Sequence, residues 1–180
     1  MKLLDEDRLF PSEERPRRLA RTLYEQVRDL PIISPHGHTD PRWYAEDAAF
    51  PDPAQLIVTP DHYVFRMLAS QGISMTDLGV PRADGGPVET DGRKIWKLFA
   101  QNYHLFRGTP SKRWLDHSFQ EVFGIDRCLN AETADWHYDH TPNCPNQPEH
   151  RPRALHKRFN LQAIATTTPA TASPAGARVG

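Results

Sequence analysis

Cysteine is scarce: Cys128 and Cys144 stand far apart and form no C-x-x-C pair. Neither a zinc ribbon nor a disulfide framework is indicated, and intracellular residence is the simplest expectation. Long apolar runs are missing as well. The opening "MKLLDEDRLF" places Asp5, Glu6 and Asp7 where a signal peptide needs its apolar core. No stretch approaches the roughly 18 apolar residues of a membrane span, so a soluble, cytoplasmic chain with no membrane partner is expected. Nor is there an excess of charge. The 22 Lys and Arg offset 23 Asp and Glu for a net charge of −1, which gives no field to gather nucleic acid. There is no internal repeat, and 180 residues suit one ordinary domain.

What is present is mostly helical periodicity. "SEERPRRLARTLYEQVRDL" sets Leu19, Leu23, Val27 and Leu30 on one helical stripe, with Ser12 as its N-cap and Pro31 as its stop. The β-branched "IIS" that follows predicts a short buried strand. In "TPDHYVFRMLASQGI", Asp61 can cap a helix that turns Val64, Phe65 and Leu68 inward and ends at Gly72. The Gly, Pro and Asp density of "RADGGPVETDG" predicts an exposed loop.

"RKIWKLFAQNYHLFRG" carries Ile95, Leu98, Phe99, Asn102, Leu105 and Phe106 on one stripe and closes at Gly108. "TPSKRWLDHSFQEVFG" adds a helix capped by Thr109, with Pro110 in first position and Gly124 at its end, so the two predict a helical hairpin. Its core is expected from Trp96, Phe99, Phe106, Trp114, Phe119 and Phe123, with His104 and His117 as ordinary helix-face residues. A further helix is expected from Asn130, and then "TPNCPNQPEHRP" breaks into a loop. "PRALHKRFN" predicts a short helix, "LQAIATTT" a second strand, and residues 169–180 a frayed tail.

Chemistry concentrates in "LPIISPHGHTDPRWYAED". Residues i and i+2 of an extended chain share a side, so His36 and His38 can offer both imidazoles to one ion, with Gly37 leaving room between them. Neutral imidazole suits zinc, manganese and related cations. Two solvated histidines in a surface turn satisfy the same spacing, so both readings stand on spacing alone. A catalytic site normally has three protein ligands, and the third must come from elsewhere. His62 and Tyr63 fall in a first helical turn, which favours a carboxylate or phosphate, and Arg66 lies one turn on. The same residues also suit a capped, solvated helix start. The run His137, His140, Cys144 and His150 fits no established metal spacing.

Taken together, "LPIISPHGHTDPRWYAED", "TPDHYVFRMLASQGI" and "LFRGTPSKRWLDHSFQEVFGI" resemble the uronate isomerase family, also called glucuronate isomerase, over about residues 5–167. The resemblance implies a metal-dependent amidohydrolase-superfamily protein on a distorted (β/α)8 barrel. Such an enzyme converts D-glucuronate to D-fructuronate and D-galacturonate to D-tagaturonate. It further implies His36 and His38 as ligands of a divalent metal, zinc or manganese, and His62 and Tyr63 as substrate-contacting and catalytic residues, with Arg66 an additional contact. Aldose–ketose conversion removes the C2 proton and returns one to C1 through a cis-enediol, which is general acid/base work. A free tyrosine titrates near 10, so Tyr63 serves as the base only beside an activating cation or a desolvated partner.

The chain departs from the family in two places. The proline-rich stretch 141–152 replaces a regular helix, and Thr168 stands where the family's second strand runs into T-T-D. A full barrel has eight strands in typically about 250 residues, against two strands here. The fold class expected is therefore α/β: an incomplete TIM barrel, mostly helical, spanning 1–168, with an inserted helical hairpin over about 73–150. Such a truncated chain is expected to lack activity alone, and its open edge to favour a homo-oligomer or aggregation. The alternatives are a metal-dependent hydrolase of the same superfamily and a non-catalytic helical fragment.

Overall fold

The structure, a computed structural model, describes residues 4–141 and 148–167. In chain order its helices are α1 (Glu14–Glu25), α2 (Pro41–Glu46), α3 (His62–Ser70), α4 (Gly92–Gln101), α5 (Pro110–His117), α6 (Ala134–His140) and α7 (Pro152–Arg158). Two strands, β1 (Ile32–Ser34) and β2 (Leu161–Ile164), pair in parallel with Ile32 opposite Leu161. The described residues are thus mostly helical with two parallel strands, and they divide into two compact units.

One unit is a continuous helical stretch from Phe50 onward, joined by Leu4. Its core is aromatic. Trp96, Phe99, Phe106 and Phe119 are fully buried alongside Val64, Leu68, Leu78 and Ile95. The rings meet edge to face, Trp96 to Phe99 at 5.4 Å and Phe99 to Phe106 at 5.8 Å, the arrangement that ring quadrupoles favour. Helix α4 exists because Asp91 accepts hydrogen bonds from Arg93 and Lys94 N–H at its start, and Ile95, Trp96 and Phe99 then form one inward face. It ends where Asn102 turns its amide back to the Leu98 carbonyl at 2.8 Å, and a 3-10 turn over Tyr103–Phe106 continues the apolar face. The single helix expected across this stretch is therefore two elements, with Gly108 closing the second at φ 79°.

Helix α4 packs against α6 and the π-helical turn Ala54–Val58, and Phe119, in the π-turn after α5, reaches Trp96 at 6.2 Å. The expected caps at Asp61 and Thr109 are both made. Trp114, expected in the core, is 62% exposed: on α5 the inward position falls to Leu115. Asn130 caps a turn through Glu132 and Thr133 N–H, so α6 begins only at Ala134.

The other unit joins residues before Phe50 to the segment from Pro148 onward. Helix α1 differs from expectation at both ends. Its N-cap position is Glu13, with no side-chain cap, and it closes at Glu25, so Val27 and Leu30 lie beyond it. Its apolar stripe is present but uncovered, with Leu19 and Leu23 about three-fifths exposed. Strand β1 also departs from the buried strand expected, since Ile33 is 67% exposed. Helix α7 is tied to α2 by Arg153, which donates to the Tyr44 and Ala45 carbonyls at 2.7 and 2.9 Å. These carbonyls end α2, where Asp47 turns left-handed at φ 50° and accepts from Arg153 N–H. The tail expected over 169–180, Thr168, and residues 142–147 of the proline-rich stretch fall outside the described residues.

Candidate functional site

The chain emerging from β1 is held against the continuation of β2. Ala165 N–H donates to the Ser34 carbonyl at 2.8 Å, and Thr167 N–H donates to the Gly37 carbonyl at 2.8 Å. This approach is close: a Cβ on Gly37 would stand 3.1 Å from the Ala165 carbonyl oxygen, so a larger residue between the histidines would push the two segments slightly apart. On either side of Gly37 the two imidazoles face each other, Nε2 to Nε2 at 3.0 Å, with ring planes inclined at 75°. Two nitrogens bound tetrahedrally to one zinc at about 2.0–2.1 Å would be about 3.3 Å apart, so the pair suits a shared ion. Among the described residues no group of three or more His, Cys, Asp or Glu gathers to hold a metal, and the pair contributes two ligands at most.

Past His38, Asp40 caps α2 by accepting from Arg42 N–H at 2.9 Å and binds the Arg42 guanidinium at 2.7 Å. The hydrogen-bonded guanidinium holds the Asp40 carboxyl below its ordinary range. Sequence reasoning missed Thr167, whose hydroxyl lies 3.1 Å from the Gly37 carbonyl and 3.3 Å from His38 Nδ1. Its signal was register: a hydroxyl residue just past β2 aligns with the H-x-H when the two strands run parallel.

His62, Tyr63 and Arg66 all belong to α3, in the helical unit. The His62 and Tyr63 rings lie 4.2 Å apart at 34°, and Tyr63 is 58% exposed. Arg66 is exposed one turn further on. Asp61 already takes the Tyr63 N–H at 2.8 Å, so at that position the backbone is engaged and an incoming anion would rely on side chains. Of the remaining histidines, His137 is fully buried, with Nε2 2.9 Å from the Arg127 carbonyl and its ring against Phe119 at 5.3 Å. His140 stacks on Trp136 at 4.0 Å. Both are engaged in the packing around α6.

A mostly helical chain with one parallel strand pair has known counterparts. The chain belongs to the glucuronate isomerase family, whose model matches residues 1–173. The uronate isomerase of Rhizobium meliloti (strain 1021) is 62% identical over 165 residues, which are 92% of this chain and 35% of that protein. The crystal structure of glucuronate isomerase from Caulobacter crescentus superposes with a TM-score of 0.87 at 50% identity, covering 93% of this chain and 35% of that one. For the uronate isomerase of Thermotoga maritima the TM-score is 0.76 at 26% identity, over 92% of this chain and 33% of that one. The chain thus spans about a third of the length of the relatives it matches. Among the described residues no helix is long and apolar enough to cross a membrane.

Proposed function

We propose that this chain is the N-terminal portion of a uronate isomerase, an enzyme that interconverts D-glucuronate with D-fructuronate and D-galacturonate with D-tagaturonate. The observation that carries the reading is the facing of His36 and His38, Nε2 to Nε2, just beyond the carboxyl end of β1. That is where barrel enzymes place their chemistry. In this reading β1 and β2 are adjacent strands of a (β/α)8 barrel within a domain spanning 1–168, and the stretch of about 73–150 is a helical insertion between them.

His36 and His38 would hold a divalent ion, zinc or manganese. When bound, that ion would supply Lewis-acid polarisation of a sugar oxygen. His62, Tyr63 and Arg66 are substrate contacts: Arg66 pairs with the uronate carboxylate, and the His62 imidazole and Tyr63 phenol handle protons as the C2 proton leaves and C1 gains one. The remaining metal ligands and substrate contacts belong to barrel strands beyond those described.

The test is a turnover assay on both uronates, with zinc or manganese added, comparing this chain with a version extended to a full barrel. Turnover in the extended form, lost on Tyr63→Phe or His62→Ala, is the expected result. No turnover in either form would sink the assignment.

A further inference from the structure

Resting on the metal-ligand reading of His36 and His38, we propose that Arg153 is a positioning residue that clamps the two-histidine segment from its downstream side. The upstream side is held by β2 and its flanks. Asn160, left-handed at φ 51°, accepts Ile32 N–H at 2.8 Å through its carbonyl and donates its side-chain amide to the Asp29 carbonyl at 3.2 Å. Ala165 N–H and Thr167 N–H then reach the Ser34 and Gly37 carbonyls, each at 2.8 Å. These bonds fix the chain as far as the glycine between the imidazoles.

Past His38 the chain enters α2 at the Asp40 cap. A helix of six residues does not persist alone, because nucleation costs more than so few hydrogen bonds return. Helix α2 therefore depends on what holds its far end, and that is Arg153. The guanidinium donates from Nε to the Tyr44 carbonyl at 2.7 Å and from Nη2 to the Ala45 carbonyl at 2.9 Å, one planar fork across two carbonyls of the last turn. Its charge also meets the negative end of the helix. The contact is reciprocal, since Asp47, left-handed at φ 50°, accepts Arg153 N–H at 2.9 Å near the start of α7. Helix α7 and strand β2 are consecutive, so the stretch 153–167 grips 29–47 at both ends with His36 and His38 between. Without Arg153, α2 unwinds back toward Asp40, and the second imidazole loses its fixed approach to the first.

Two readouts on the full chain test this. The first needs no metal: the nuclear Overhauser contact between the His36 and His38 ring protons, expected in wild type because the ring centroids lie 4.9 Å apart. Arg153→Met should weaken it, while Lys157→Met, which removes an exposed cation from the same helix, should leave it unchanged. Arg153→Lys, whose point charge cannot span both carbonyls, should fall between the two and carries the test if Arg153→Met does not fold. The second is calorimetric zinc titration, in which Arg153→Met should bind about tenfold more weakly than wild type, the lower end of what outer-shell partners cost. Circular dichroism of each variant confirms an intact fold. A wild-type chain that takes up no zinc, with the ring contact still lost in folded Arg153→Met, removes the metal reading and leaves the role of Arg153 standing. A ring contact unchanged in the folded Arg153 variants, or lost equally in Lys157→Met, overturns the proposal whatever the zinc result.

Discussion

Trp96 donates its indole N–H to the carbonyl oxygen of Ala134 across 3.0 Å, inside the helical unit where both residues are buried. The bond ties α4 to the first residue of α6 and lets a large polar-tipped ring occupy a dry core. Trp96→Phe removes the indole bond, leaving the Ala134 carbonyl with its helical partner only, and opens a void. The loss should be about 0.5–1.5 kcal/mol for the hydrogen bond plus a cavity contribution, read as a lower midpoint in urea unfolding. Trp114→Phe, at a ring 62% exposed, should shift the midpoint by no more than about 0.5 kcal/mol. Equal effects of the two substitutions would contradict this packing.

Burial lowers the pKa of His137 from 6.5 to about 4. An unfolded chain binds the proton first, as pH falls below about 6.5, whereas the folded chain resists it until about 4. Stability is therefore fully present above about 6.5 and falls as pH drops toward about 4, by a few kcal/mol at most. Urea midpoints measured across this window should slope downward with acidification. His137→Phe should flatten the slope, at some cost in stability at neutral pH because the Arg127 carbonyl loses its donor. An unchanged slope in the variant would assign the acid sensitivity elsewhere.

The H-x-H pair yields a separate expectation, independent of turnover. His36→Ala should reduce zinc affinity at least tenfold in a calorimetric titration, because one of two facing nitrogens disappears. Equal affinity in variant and wild type would refute metal binding at this pair.

Helix capping distinguishes what the fold uses from what the sequence suggests. Thr109 accepts from Lys112 N–H at the start of α5, and Thr109→Ala should cost about 1 kcal/mol. Ser12 caps nothing with its side chain, since α1 starts from Glu13, so Ser12→Ala should fall within about 0.5 kcal/mol of wild type. Thermal unfolding followed by circular dichroism reads both.

Asp61 and Thr109 were legible as caps because each precedes a short, strongly patterned helix whose next turn can satisfy the backbone only one way. Ser12 misleads because α1 starts one residue later, with Glu13 in the N-cap position making no side-chain cap and Glu14 supplying the acid of the first turn. The stripe of Leu19 and Leu23 reads correctly as apolar, but periodicity reports which face is apolar and nothing about what covers it. Trp114 and Leu115 compete for one inward position, and only the helix phase set by Pro110 decides it. His36 and His38 were visible as a pair, whereas Thr167, about 130 residues away, joins them only through strand register.

That separation orders events during synthesis. Apart from the N-terminal residues that join it, the helical unit is continuous in the chain from Phe50, and its contacts become available as soon as its last residues leave the ribosome. Strand β1 emerges first but must wait for β2, roughly 130 residues later, which at about 5–20 residues per second is on the order of ten seconds. Throughout that interval Ile32 and Ile33 lack the parallel partner that β2 supplies, so the two-histidine segment beyond them gains its backbone anchors only after the whole helical unit has been made.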